Sequence, residues 1–166
     1  WDCNADADGL AAGSSLVFAQ IPGFISTTAA AQNVTVTQPT ISMPAINNVG
    51  AGLMGSGQLA TLSASQHGGV TMRVESLDST TALVSPNLTT PGQRFFDVFV
   101  ANGSVNVSFT IHGVEGTAGT PTILASAPGF GSASRPVTIA QPALDIISLA
   151  TSIDTIDPND PFTIRV

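Results

Sequence analysis

The sequence predicts an all-β chain of repeated sandwiches, and three observations predict it: a long internal repeat, runs of alternating apolar and polar residues, and turn residues at regular intervals without helical periodicity. Gly13-Ser-Ser-Leu-Val-Phe-Ala-Gln-Ile-Pro-Gly-Phe24 recurs without a gap as Gly119-Thr-Pro-Thr-Ile-Leu-Ala-Ser-Ala-Pro-Gly-Phe130, an offset of 106 residues. Downstream, Val34-Thr-Val-Thr-Gln-Pro39 matches Val137-Thr-Ile-Ala-Gln-Pro142 at 103, so the loop before the second copy is three residues shorter. Beyond it Ile41, Met43 and Ile46 reappear as Leu144, Ile146 and Leu149. The unit of folding is therefore roughly a hundred residues, the size of one immunoglobulin-like sandwich. Cut at its two Gln-Pro junctions, the chain holds the end of one repeat (1–38), one complete repeat (39–140) and the start of another (141–166).

Within the complete repeat the strands follow in order. A first strand falls near 40–47 and a second near 58–64, separated by the glycine-rich turn 51–57. Val70, Met72 and Val74 then alternate with Thr71, Arg73 and Glu75, a period of two that marks a strand with one buried face. A short edge strand lies near 80–85. The run from Arg94 to Val100 is followed by Asn102-Gly103 and by the alternating Val105, Val107, Phe109 and Ile111. Asn-Gly supplies the positive φ of a tight turn, so these two runs are expected to form a hairpin. The last strands fall near 120–127 and 135–140. The expected core is Leu62, Val70, Met72, Val74, Leu83, Phe96, Val98, Val105, Phe109, Ile111, Ile123 and Ala125. Each large side chain buried contributes about 1.5 to 3 kcal/mol, enough for one sandwich without a disulfide. With Gly and Pro spread throughout, little or no helix is expected.

The segments Gly69 to Pro86, Ser104 to Gly113 and Thr122 to Phe130 together resemble bacterial Ig-like domains. These are the repeating stalk modules of adhesins and of invasin- and intimin-like surface proteins. The resemblance spans the complete repeat and both partial ones, and it implies an Ig-like β-sandwich with a structural or adhesive role and no shared catalytic residues.

Composition narrows the function classes. The chain has 9% charged residues, no Lys and a net charge of -7, and its four cations, Arg73, Arg94, Arg135 and Arg165, are scattered. Nucleic acid, which demands clustered basic residues, is not an expected partner. No apolar stretch reaches the ~20 residues of a spanning helix, so membrane insertion is not expected either. A surface of Ser, Thr, Asn and Gly points to an extracellular or cell-surface setting. The single cysteine, Cys3, allows no intramolecular disulfide. The opening on Trp1, inside a repeat and without a leader, reads as a processed or excerpted polypeptide.

Two acidic strings are candidate Ca²⁺ ligands, the one cofactor considered. Asn4, Asp6 and Asp8, followed by Gly9, alternate oxygen side chains as a calcium loop begins, but the position for a bidentate acid is Ser15. Asp154, Asp157 and Asp160, with Asn159, form the second string, aligned with the 51–57 turn; the competing role for both strings is an acidic turn. His67 and His112 have no companions at metal-ligand or triad spacing, and no catalytic residues are expected.

Two functions remain. The first is a structural or adhesive repeat module forming a surface stalk or filament segment, its partners being neighbouring Ig-like repeats in the same chain or in adjacent subunits. The second is a carbohydrate- or ligand-binding accessory module of a secreted enzyme or phage structural protein, for which Phe95 or Phe99 on an outer strand face is the candidate stacking residue.

Overall fold

The computed structural model describes residues 4–165; Trp1 and Cys3 lie outside the described residues. The protein is all-β, with one short 3-10 turn at Thr28–Ala30 among them. In chain order the strands are β1 (Gly13–Phe18), β2 (Ala31–Val36), β3 (Ile41–Ser42), β4 (Val49–Gly50), β5 (Met54–Leu62), β6 (Val70–Ser76), β7 (Ala82–Ser85), β8 (Phe95–Val100), β9 (Asn106–Gly113), β10 (Thr122–Ser126), β11 (Ala133–Pro136), β12 (Ile139–Ala140), β13 (Asp145–Ile147) and β14 (Thr163–Arg165).

Two four-stranded antiparallel sheets, ordered β3-β5-β9-β7 and β11-β10-β6-β8, enclose the core. This is an Ig-like arrangement, with β3, β5, β7 and β9 facing the sheet that carries β6, β8 and the late strands β10 and β11. Every residue of the buried cluster lies between Ile41 and Ile139, with Leu62, Met72, Val74, Phe109, Ile111 and Ile123 at its centre. Both open sides are stitched. On one, β4 leaves the first sheet to pair in parallel with β12, and Ile41 donates its amide to the Gly131 carbonyl. On the other, Gln93 exchanges two backbone bonds with Val84 while the Arg94 carbonyl accepts from Ser76, so one extended segment bridges β7 and β6 before continuing as β8.

Three local expectations are corrected. The runs flanking Asn102-Gly103 do not form a hairpin: β8 pairs with β6, whereas β9 pairs with β5 and β7 in the opposite sheet. The turn exists, closed by the Ser104 amide on the Ala101 carbonyl with Gly103 at φ +90°, but it carries the chain from one layer to the other. The second strand begins at Met54, four residues early, because Gly57 (φ +74°) makes a bulge inside β5 where a turn was expected. Gly55 faces Ile111 and Gln58 faces Phe109, three residues against two. On β7 the buried pair is Ala82 and Val84, and Leu83, expected inside, is half-exposed. Three consecutive apolar residues carry no alternation from which to choose a face.

The terminal hairpins reproduce the central sheets. In β1–β2, Leu16 stands opposite Asn33; in β10–β11, Thr122 stands opposite Pro136, at the same offsets of 106 and 103 as the sequence repeat. In β13–β14, Asp145 stands opposite Arg165, where Ser42 stands opposite Thr61 in β3–β5, at offsets of 103 and 104. Their apolar positions, however, are uncovered. Val17 is 51% exposed where its counterpart Ile123 is fully buried, and Ile146 is 61% exposed where Met43 is buried.

Candidate functional site

The outer face of β6 and β8 gathers the chain's two salt bridges among the described residues. Antiparallel register places Glu75 opposite Phe95, Arg73 opposite Asp97 and Thr71 opposite Phe99. Since side chains on alternate residues share a face, all six project outward while Met72, Val74, Phe96 and Val98 turn inward. Arg73 grips Asp97 with two bonds, Nε to Oδ1 and Nη2 to Oδ2, each 2.8 Å. Its guanidinium also lies 4.1 Å from the centre of the Phe95 ring, a cation–π contact. Arg94 donates from Nε to Oε1 of Glu75 at 3.0 Å. The bonds to Asp97 raise the Arg73 pKa and lower that of Asp97, but both partners are solvent-exposed and screening leaves the pair little weight in stability.

Phe99 has a different support. Gly69, at φ +95°, has no Cβ, and one built there would come within 2.7 Å of the Phe99 Cζ. The ring therefore lies on glycine, and Phe99 is 68% exposed. Thr71, which stands opposite Phe99, lines with Arg73, Asp97, Ser126, Ala127 and Pro128 a shallow hollow of about 440 Å³ that the Phe99 ring does not itself line. Phe95 and Phe99 are thus on the outer face, as the sequence indicates, and the cover of Arg73 over Phe95 leaves Phe99 as the more open platform. That cover was not legible in the sequence, because Arg73 and Phe95 meet only through cross-strand register.

The acidic strings lie at the two ends of the described chain. Asn4, Asp6 and Asp8 are exposed in the segment before β1, with Asp8 beside the hollow lined by Val34 and Val36. In the second string Asp157 accepts from the Asp154 amide at 2.7 Å and Asp160 from the Ala150 amide at 2.5 Å, the bonding of acidic turns. Among the described residues no three His, Cys, Asp or Glu side chains gather as metal ligands, and no helix is long and apolar enough to cross a membrane.

Both histidines are structural in their contacts. His67 accepts the Gly69 amide at Nδ1, which leaves Nε2–H to donate to the Ser104 carbonyl at 2.9 Å; its ring meets Phe130 edge-on. His112 Nε2 lies 2.8 Å from the Ser85 hydroxyl, which itself donates to the Asn87 carbonyl. Burial lowers the His112 pKa below 6.5. Hydrogen bonds from the hydroxyls of Thr80 and Thr81 hold Asp78 below 3.8. Acid is therefore expected to destabilise the fold in two stages. The unfolded chain protonates its histidine first, so stability falls as pH drops from 6.5 through the lower folded pKa of His112 and then levels. The contributions of Asp78 and Asp97, complete above 3.8, are lost as pH falls further through their depressed folded values. Thermal melts across this range check both stages, and Asp78→Asn should weaken the second.

No family model matches the chain, and no curated protein matches it. Among solved structures it is similar to domains 4 and 5 of the S-layer protein SbsC, at 23% identity and a TM-score of 0.41. The match covers 78% of this chain and 66% of that one.

Proposed function

We propose that the protein is a non-enzymatic structural segment of a tandem Ig-like array on a cell or particle surface, in which residues 39–140 form one complete module and 1–38 and 141–166 belong to the modules on either side. One observation carries this reading: each terminal hairpin has the strand register of a pair inside the complete sandwich, yet leaves exposed the positions that are buried there. Two-stranded hairpins are marginal in water, and an uncovered apolar face invites the strands that complete it. Continuation of the array in the same chain supplies all of them. Joining the β13–β14 hairpin of one subunit to the β1–β2 hairpin of the next would leave out the strands corresponding to β6, β7, β8 and β9, so completion within one chain is the better account.

Such a module spaces what lies beyond it. Its extracellular setting is supported by the Lys-free, Ser- and Thr-rich surface. The test is small-angle X-ray scattering from chains carrying one, two and three tandem copies of residues 39–140 between the terminal segments. Each copy is expected to lengthen the particle by the same increment.

A further inference from the structure

We propose that the outer face of β6 and β8 binds a neutral oligosaccharide, with one pyranose ring stacked on Phe99 and the hydroxyls of an adjacent ring, further along β8, bonded to Arg73 and Asp97. The inference is independent of the spacer reading, since an array module can carry a binding face without ceasing to be a spacer.

A sugar ring presents an apolar C–H face and a rim of hydroxyls. Its natural receptor is an exposed aromatic plane beside paired donors and acceptors held in fixed positions. Phe99 supplies the plane. It is a large apolar ring left 68% exposed, and Gly69 is the residue type that lets it lie against the strand. The next outward position on β8 toward its start, two residues away, is Asp97. Its carboxylate is locked by two bonds to Arg73, and Arg73 is immobilised in turn on the Phe95 ring. A bidentate pair fixed in this way keeps unused acceptor capacity on Asp97 and unused N–H groups on Arg73, so little rotamer freedom is lost when hydroxyls bind. The hydroxyl-bearing residues Thr71 and Ser126 border the same hollow.

Charge selects the ligand class. Each cation on this face is already paired, Arg73 with Asp97 and Arg94 with Glu75, and the chain as a whole carries a net charge of -7. An anionic glycan or a phosphate would meet no free cation there and a repulsive protein, whereas a neutral sugar has no such cost.

The test is a titration of the ¹⁵N-labelled full chain with cellohexaose, xylohexaose, mannohexaose and N-acetylchitohexaose, followed by amide chemical shifts. Saturable shifts confined to the backbone around Thr71, Arg73, Asp97, Phe99 and Ser126 are expected with at least one of the four. Phe99→Ala should raise that Kd about tenfold or more, the loss of one stacking contact, and Phe99→Tyr should keep it within about threefold. The Phe99 side chain is solvent-exposed, so Phe99→Ala should fold, and an unchanged melting temperature confirms that it does. No saturable shift with any of the four sugars, shifts on another face, or equal affinity in Phe99→Ala overturns the proposal.

Discussion

Phe109→Ala is expected to remove most of the stability of the central sandwich, by about 3 to 5 kcal/mol. Phe109 sits on β9, one of the two inner strands of its sheet, and its side chain is buried at the centre of the cluster. Truncation withdraws the ring from contacts with both layers and leaves a cavity that neighbours fixed by two ladders cannot close. Against a typical domain stability of about 5 to 15 kcal/mol, the loss brings the variant near the unfolding threshold. Denaturant melts followed by circular dichroism check it through the midpoint. Phe109→Leu, which keeps much of the volume, should lose markedly less than the alanine variant.

Gly113→Ala should be nearly as damaging, although it adds only one methyl group. A Cβ at this position meets the backbone carbonyl of Gly50, with the Ala51 Cα close behind, and neither is a side chain that can rotate away. Relief requires β4 to retreat from the end of β9. That retreat strains the Gly52 amide bond to the Gly113 carbonyl and the Gly113 amide bond to the Leu53 carbonyl, and it pulls on the β4–β12 pairing that closes one side of the sandwich. Overpacking combined with partial loss of these bonds amounts to about 3 kcal/mol. For a domain of this size that corresponds to a fall in Tm of roughly 12 to 20 °C. A thermal melt reads it, and loss of amide protection at Ala51 and Gly52 would locate the damage at β4.

The parts of this fold that were legible in the sequence are those governed by strictly local rules. Val70 to Glu75 and Asn106 to Ile111 alternate with period two, and their strands fall within a residue or so of expectation. The parts that were not legible depend on which strand meets which. Asn102-Gly103 specifies a reversal, but the same positive φ at Gly103 serves a hairpin or an arch between layers, and only the competition of β6 and β9 for partners decides between them. Gly55 and Gly57 signal a break in regular backbone without saying whether it is a turn or a bulge. The candidate site divides the same way. Outward Phe95 and Phe99 follow from alternation, whereas the Arg73 stack on Phe95 and the Gly69 bed beneath Phe99 arise across strands and need the register.

The repeat was the most informative sequence feature, because it gives meaning to exposure. Leu144 and Ile146 on an isolated hairpin would be ordinary surface residues; as counterparts of Ile41 and Met43 they occupy positions that are buried in the complete sandwich. The same logic applies to Val17 and Val34, whose counterparts Ile123 and Val137 are buried.

The spacer account rests on modules that stack end to end, and scattering from the one-, two- and three-copy chains measures this directly. The nine-residue β5 spans ~30 Å, which sets the scale of one module's long axis. The account predicts that the maximum dimension rises by a constant increment of about 30 to 40 Å per copy while the cross-section stays fixed. Growth of the cross-section with copy number, and a maximum dimension that rises only as the cube root of mass, would mean that the modules collapse on one another and would contradict it.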